Sequence, residues 1–203
     1  MPLNAMADVS RETQDKLEQY HALLLKWQKA INLISPGTVE TAWHRHFEDS
    51  LQILSLISEN TKTLYDLGSG AGFPGLVAAM CRPDLDVHLI ESDERKGQFL
   101  RTVSRETKAL ITVHTDRIES LDIAPPDIVT ARALADLKTL CGFCENWANA
   151  NPNFAMIFMK GRNAEQEITD AQAHYDFDLE TFPSETDKEA VILRLTNLRK
   201  KQG

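Results

Sequence analysis

Apolar residues recur at alternating intervals of three and four through Leu17, Tyr20, Leu24, Trp27, Ile31 and Ile34. That spacing places them on one face of a long amphipathic helix, which Pro36-Gly37 ends. A second helix is predicted from near Thr38, with Trp43, Phe47, Leu51, Leu54 and Ile57 on its buried stripe. The pattern then changes to short apolar runs: Thr63 to Leu67, Val87 to Ile90, Ile111 to His114, Asp127 to Ala131, Phe154 to Met159, Phe177 to Phe182 and Ala190 to Leu195. Helical stretches from Pro74 to Cys81, Arg95 to Lys108 and Leu134 to Trp147 separate the first five. Strands alternating with helices predict an α/β fold with a mostly parallel seven-stranded sheet. Residues 1–60 are expected to form a helical cap and residues 61–203 a Rossmann-like core, the whole making one compact unit.

The densest signal lies at the first strand, in Tyr65-Asp66-Leu67-Gly68-Ser69-Gly70-Ala71-Gly72-Phe73-Pro74-Gly75. Strand, glycine loop and helix are the first unit of a nucleotide-binding sheet, and glycine lets a flat ligand lie against the main chain. Two patterns overlap. Gly70-x-Gly72-x-x-Gly75 matches the dinucleotide fingerprint, whereas Gly68-x-Gly70-x-Gly72 matches the methyltransferase loop. Asp66 favours the second, because a carboxylate at the strand end repels a pyrophosphate and attracts the ammonium and sulfonium of S-adenosylmethionine. Glu91 closes the next strand, where an acid can accept from both ribose hydroxyls of either cofactor.

Composition narrows the partners. A net charge of -8 and a pI near 5.3 argue against loose nucleic-acid binding, so any such partner must meet a local basic patch. No apolar run reaches membrane-spanning length and residues 1–10 lack a leader pattern, which predicts a cytoplasmic protein away from membranes. Cys81, Cys141 and Cys144 are read as reduced thiols, and no metal site is expected.

Several further side chains are candidates. His44 and His46 stand two apart and cannot chelate together, while Arg45 and His46 could meet a phosphate backbone or simply pair with Glu48 or Asp49. Arg101, Arg105 and Lys108 share one helix face as a basic stripe. The turn Thr115-Asp116-Arg117-Ile118-Glu119 falls where an adenine ring would sit, and Arg132 and Lys160 arrive at the carboxyl edge of the sheet. After the fourth strand stands Ala131-Arg132-Ala133 in place of an Asp/Asn-Pro-Pro-aromatic loop, and no cysteine nucleophile lies at a strand end. Those absences leave acceptors such as a ring nitrogen, which attacks with a free lone pair and needs no catalytic residue beyond positioning. His46 is the group near the site expected to titrate in the neutral range.

The set Lys26 to Leu33, Arg45-His46-Phe47-Glu48-Asp49-Ser50, Asp66 to Gly75, Arg132-Ala133 and Lys160-Gly161 closely resembles the bacterial 16S ribosomal RNA guanine-N7 methyltransferases, the glucose-inhibited division protein B family. The resemblance runs from about Leu17 to Leu195. It implies a class I methyltransferase fold, S-adenosylmethionine as donor, and a guanine in the 530 loop of 16S ribosomal RNA as acceptor. By position it places cofactor contacts on Gly68, Phe73, Ile118, Glu119 and Arg132, with Asp116 competing with Glu119 for adenine. Gly70, Asp66 and Glu91 complete the expected cofactor set, and Arg45, His46, Arg101, Arg105 and Lys160 the RNA-binding set of a monomer. Two rival readings remain at this point: a nicotinamide-dependent oxidoreductase and a non-catalytic ribosome-associated module.

Overall fold

A computed structural model describes residues 9–202. The helix α1 (Arg11–Gln28) starts where the Ser10 hydroxyl accepts from the Thr13 amide at 3.1 Å, and it buries Leu17, Tyr20 and Leu24. It stops short of the predicted Ile34. The Gln28 side chain accepts from the Leu33 and Ile34 amides at 2.9 and 3.0 Å, folding the chain back on itself. Trp27 and Ile31 keep their packing although Ile31 lies beyond the helix.

The second predicted helix is a composite of π-helical Trp43–Glu48, the single α-turn α2 (Asp49–Leu51) and 3-10 Gln52–Leu56. A π segment widens the turn, so the side chains do not follow one 3.6-residue stripe. Phe47, Leu51 and Ile53 carry its burial.

Seven strands follow: β1 (Thr63–Leu67), β2 (Asp86–Ile90), β3 (Thr112–His114), β4 (Ile128–Arg132), β5 (Ala155–Lys160), β6 (Tyr175–Pro183) and β7 (Val191–Lys200). Their order is β3-β2-β1-β4-β5-β7-β6, parallel except that β7 runs antiparallel to β5 and β6. The order reverses at β1, which puts a crevice above the carboxyl ends of β1 and β4. On one face α1, α3 (Gly75–Cys81) and α4 (Glu94–Thr107) pack Leu17, Tyr20, Leu76 and Phe99 against Leu64, Val87 and Leu89. On the other, α5 (Leu137–Ala150) packs Leu140, Cys144 and Trp147 against Tyr65, Val129 and Phe158.

Two local differences bear on the site. Asp136 caps α5 by accepting from the Thr139 amide at 2.8 Å, so the helix begins at Leu137 and residues 133–135 remain a loop over the crevice. A further helix, α6 (Ala164–Gln172), fills a stretch for which the hydrophobic pattern predicts nothing.

Candidate active site

Gly68, Gly70 and Gly72 adopt φ values of +62°, +55° and +97°, the left-handed region that L side chains resist. A Cβ at Gly72 would strike the Leu76 side chain at 2.6 Å and the Tyr20 hydroxyl at 2.7 Å. Tyr20, fully buried, donates its hydroxyl to the Ala71 carbonyl, so α1 holds the loop from below. At Gly70 a Cβ would meet nothing nearer than 3.8 Å and would project into the open crevice. A ligand is what that glycine makes room for.

The crevice is a cleft of about 800 Å³. Its lining includes Gly68, Gly70, Phe73, Glu91, Ile118, Glu119 and Arg132 from the expected cofactor set, and Arg45, His46 and Lys160 from the expected RNA set. Asp66 is not among them. Its carboxyl is 0% exposed and lies under the loop, accepting from the Thr130 hydroxyl at 2.7 Å and the Gly75 amide at 3.2 Å. Burial pushes its pKa up to about 6, with those hydrogen bonds opposing. Asp66 therefore anchors the loop, and its contact with a cofactor ammonium is withdrawn.

Glu91 takes over the electrostatic argument. Its Oε2 accepts from the Gly70 amide and its Oε1 from the Asp93 amide, both at 2.8 Å. A loop amide that a pyrophosphate would need is thus committed to a carboxylate, which disfavours a dinucleotide. Asp116, Arg117, Ile118 and Glu119 close this end of the cleft, and both acids reach its lining.

The other end is built from side chains of distant elements. Arg132 lies 5.0 Å over the Phe73 ring and donates to His46 Nδ1 at 2.8 Å, to the Arg45 carbonyl at 3.1 Å and to Asp49 Oδ2 at 3.3 Å. His46 Nδ1 is then an acceptor, so Nε2 carries the proton and meets Thr38 Oγ1 at 3.0 Å. Burial, helped by Arg132 and Arg45, lowers the His46 pKa to about 3. The expected neutral-range titration of His46 is corrected: it stays an uncharged imidazole. Arg45 pairs with Asp187 at 2.8 Å, and Asp49 also accepts from Thr186 at 2.6 Å and Gln52 at 3.0 Å, joining the N-terminal helices to the β6–β7 loop.

Lys160 is 8% exposed, with Nζ 2.5 Å from the Ala135 carbonyl and 2.7 Å from Glu167 of α6. The basic stripe does not reach the cleft lining. Arg101 is tied to Glu94 at 3.1 Å and Arg105 to Glu106 at 2.9 Å, so both expected RNA contacts are already paired with acids. Lys96 and Arg117, not chosen from the sequence as RNA contacts, do line the cleft, and neither makes an ion pair among the described residues. Cys141 and Cys144 are buried free thiols in α5, their pKa values raised by burial, and among the described residues no cluster could hold a metal.

Sheet order, glycine loop and strand-end carboxylate together define a class I S-adenosylmethionine-dependent methyltransferase. Solved structures share the fold. An N-methyltransferase, NodS, from Bradyrhizobium japonicum in complex with S-adenosyl-L-homocysteine is 17% identical, with a TM-score of 0.53 over 95% of this chain and 100% of that one. An O-methyltransferase from Bacillus cereus is 13% identical, with a TM-score of 0.55 over 93% and 91%. Their acceptors differ, so the fold does not choose the substrate. The model of the GidB family, rRNA small subunit methyltransferase G, matches residues 13–191, and this chain belongs to that family. A ribosomal RNA small subunit methyltransferase G of Rhodospirillum centenum is 48% identical over 94% of this chain and 87% of its own length.

Proposed function

We propose that the protein transfers a methyl group from S-adenosylmethionine to N7 of a guanine in the 530 loop of 16S ribosomal RNA. When bound, the cofactor supplies an electrophilic methyl group. Gly68 and Gly70 would give it a flat main-chain floor, Glu91 would accept from its ribose, and the turn 116–119 would border its adenine. The chain's own residues then have to hold the acceptor and exclude water.

Membership of the rRNA small subunit methyltransferase G family supports the choice of acceptor, and one feature of the cleft agrees with it. His46, the imidazole of the cleft, is neutral and has both ring nitrogens engaged, so it cannot take up a proton from an incoming nucleophile. A ring nitrogen with a free lone pair has no proton to lose. Lys96 and Arg117 lie at the rim for phosphates, which an acidic protein must meet locally. Among the described residues no helix is long and apolar enough to cross a membrane.

The deciding experiment is mass spectrometry of nucleosides from small-subunit RNA methylated by the purified protein. 7-Methylguanosine is expected, and 7-deazaguanine at the target should be inert. N6-Methyladenosine or 5-methylcytidine would overturn the reading.

A further inference from the structure

Adenine and guanine both carry a nucleophilic N7, so the transfer chemistry by itself does not select guanine. Selection requires a group that reads another edge. On its Watson–Crick edge guanine presents two donors, N1–H and the 2-amino group, where adenine presents the N1 lone pair. An acceptor facing that edge favours guanine and repels adenine.

The cleft contains carboxylates, and most are spent. Asp49 is occupied by Arg132, Thr186 and Gln52, and Glu91 holds two backbone amides and is assigned to the cofactor ribose. Asp116 and Glu119 lie at the adenine end. Glu167 differs. Its Oε2 accepts from the Leu137 amide at 3.0 Å and pairs with Lys160 at 2.7 Å, whereas nothing among the described residues donates to Oε1. The side chain is 24% exposed and lines the cleft. Leu134, one of two large apolar side chains left exposed among the described residues, lines the cleft beside Gly68 at 37% exposure and offers an apolar surface to the face of a planar ring.

We infer that Glu167 is a specificity-determining residue whose free Oε1 accepts from N1–H and the 2-amino group of the target guanine. The Lys160 ammonium and the Leu137 amide fix the carboxylate through its other oxygen, so little side-chain freedom is lost when the base arrives. This assignment rests on the proposed guanine acceptor and adds what selects it.

The test compares small-subunit RNA carrying guanosine or inosine at the target, either free or assembled, whichever form the wild type methylates. Inosine keeps N7, O6 and N1–H and lacks only the 2-amino group. Two quantities are measured for wild type and Glu167→Gln: RNA affinity without cofactor and the single-turnover methylation rate. Wild type should favour guanosine by about tenfold or more, since the lost bond is to a charged acceptor. Glu167→Gln should shrink that preference several-fold, because a neutral amide oxygen accepts from the 2-amino group more weakly than a carboxylate does. A purely structural role would lower both RNAs alike and leave their ratio unchanged, which would overturn the assignment. Equal use of both RNAs by the wild type would overturn it too, whatever the stability of the variant. Failure of the guanine reading is distinguishable, because 7-methylguanosine would then be missing from the wild-type product.

Discussion

The glycine-loop end of the cleft comes from a single run, Asp66 to Gly75, joined by Glu91, and most of its contacts are made by main chain. The opposite end gathers Arg45, His46 and Asp49 from the N-terminal helices, Arg132 from β4, Lys160 from β5, Glu167 from α6 and Thr186 from the β6–β7 loop. A site made of backbone constrains residue type at each position, because glycine is favoured where φ is positive or another group comes close, and it is readable as a motif. A site made of distant side chains constrains only their meeting in space. The same division should govern how each end fails: abruptly for the loop, by degrees for the network.

The largest effect is expected at Gly68. A Cβ there would sit 2.5 Å from Leu134 in addition to demanding a positive φ. Gly68→Val should therefore leave a folded protein whose cofactor affinity is down by about a hundredfold or more, an effect of about 3 kcal/mol. Calorimetry showing near-normal affinity would erase the distinction between the two ends. At the network end, Asp49→Ala strands Arg132 without its carboxylate and Thr186 without its acceptor. Urea titration should show a stability loss of about 2–4 kcal/mol, with a smaller loss of cofactor affinity than Gly68→Val causes.

One buried acid and one half-buried base should pull stability in opposite directions. His46 is held at about 3 from its ordinary 6.5, so between those values the unfolded chain binds a proton that the folded chain refuses. Its contribution to stability is present above pH 6.5 and is lost as pH falls. Asp66 is raised from 3.8 to about 6, so in that window the folded chain keeps a proton that the unfolded chain releases. Its contribution is lost as pH rises. Between pH 4 and 6 the two slopes oppose. His46→Asn should therefore lose stability as pH rises across that window, and Asp66→Asn should gain it, each by up to about 1.4 kcal/mol per pH unit. Equal slopes in both variants, measured by urea unfolding at pH 4, 5 and 6, would show that neither group is titrated as the structure implies.

The smallest effect belongs to the basic stripe. Arg105, 70% exposed and paired with Glu106, should tolerate Arg105→Ala with methylation within about twofold of wild type. Lys96→Ala or Arg117→Ala should instead weaken RNA binding and flatten its salt dependence by about one unit of log–log slope. A larger effect at Arg105 than at Lys96 would move the RNA path onto α4.

The strands, their order of appearance and the loop were legible because short apolar runs and clustered glycines are local signals. Asp66 was legible as important and not as buried: its position at a strand end does not reveal that Thr130 and Gly75 would claim its oxygens. The behaviour of His46 depends on Arg132, 86 residues away, which no spacing rule connects to it. The α6 helix escaped notice because it buries only Ala164 and Ala171, too few apolar positions to make a stripe, and Glu167 escaped with it. The pairing of Arg101 with Glu94 and of Arg105 with Glu106 had a visible signal, acids within reach on the same helix, that the basic stripe outweighed.

The bonds from Asp49 to Ser184 and Thr186, and from Arg45 to Asp187, also fix an order in time. A chain is made from its amino end, so the glycine loop, α1 and Glu91 are all synthesised before residue 100, whereas Asp49 and Arg45 wait for partners more than eighty positions later. During synthesis the glycine loop and Glu91 therefore emerge well before the partners that Asp49 and Arg45 hold in the β6–β7 loop.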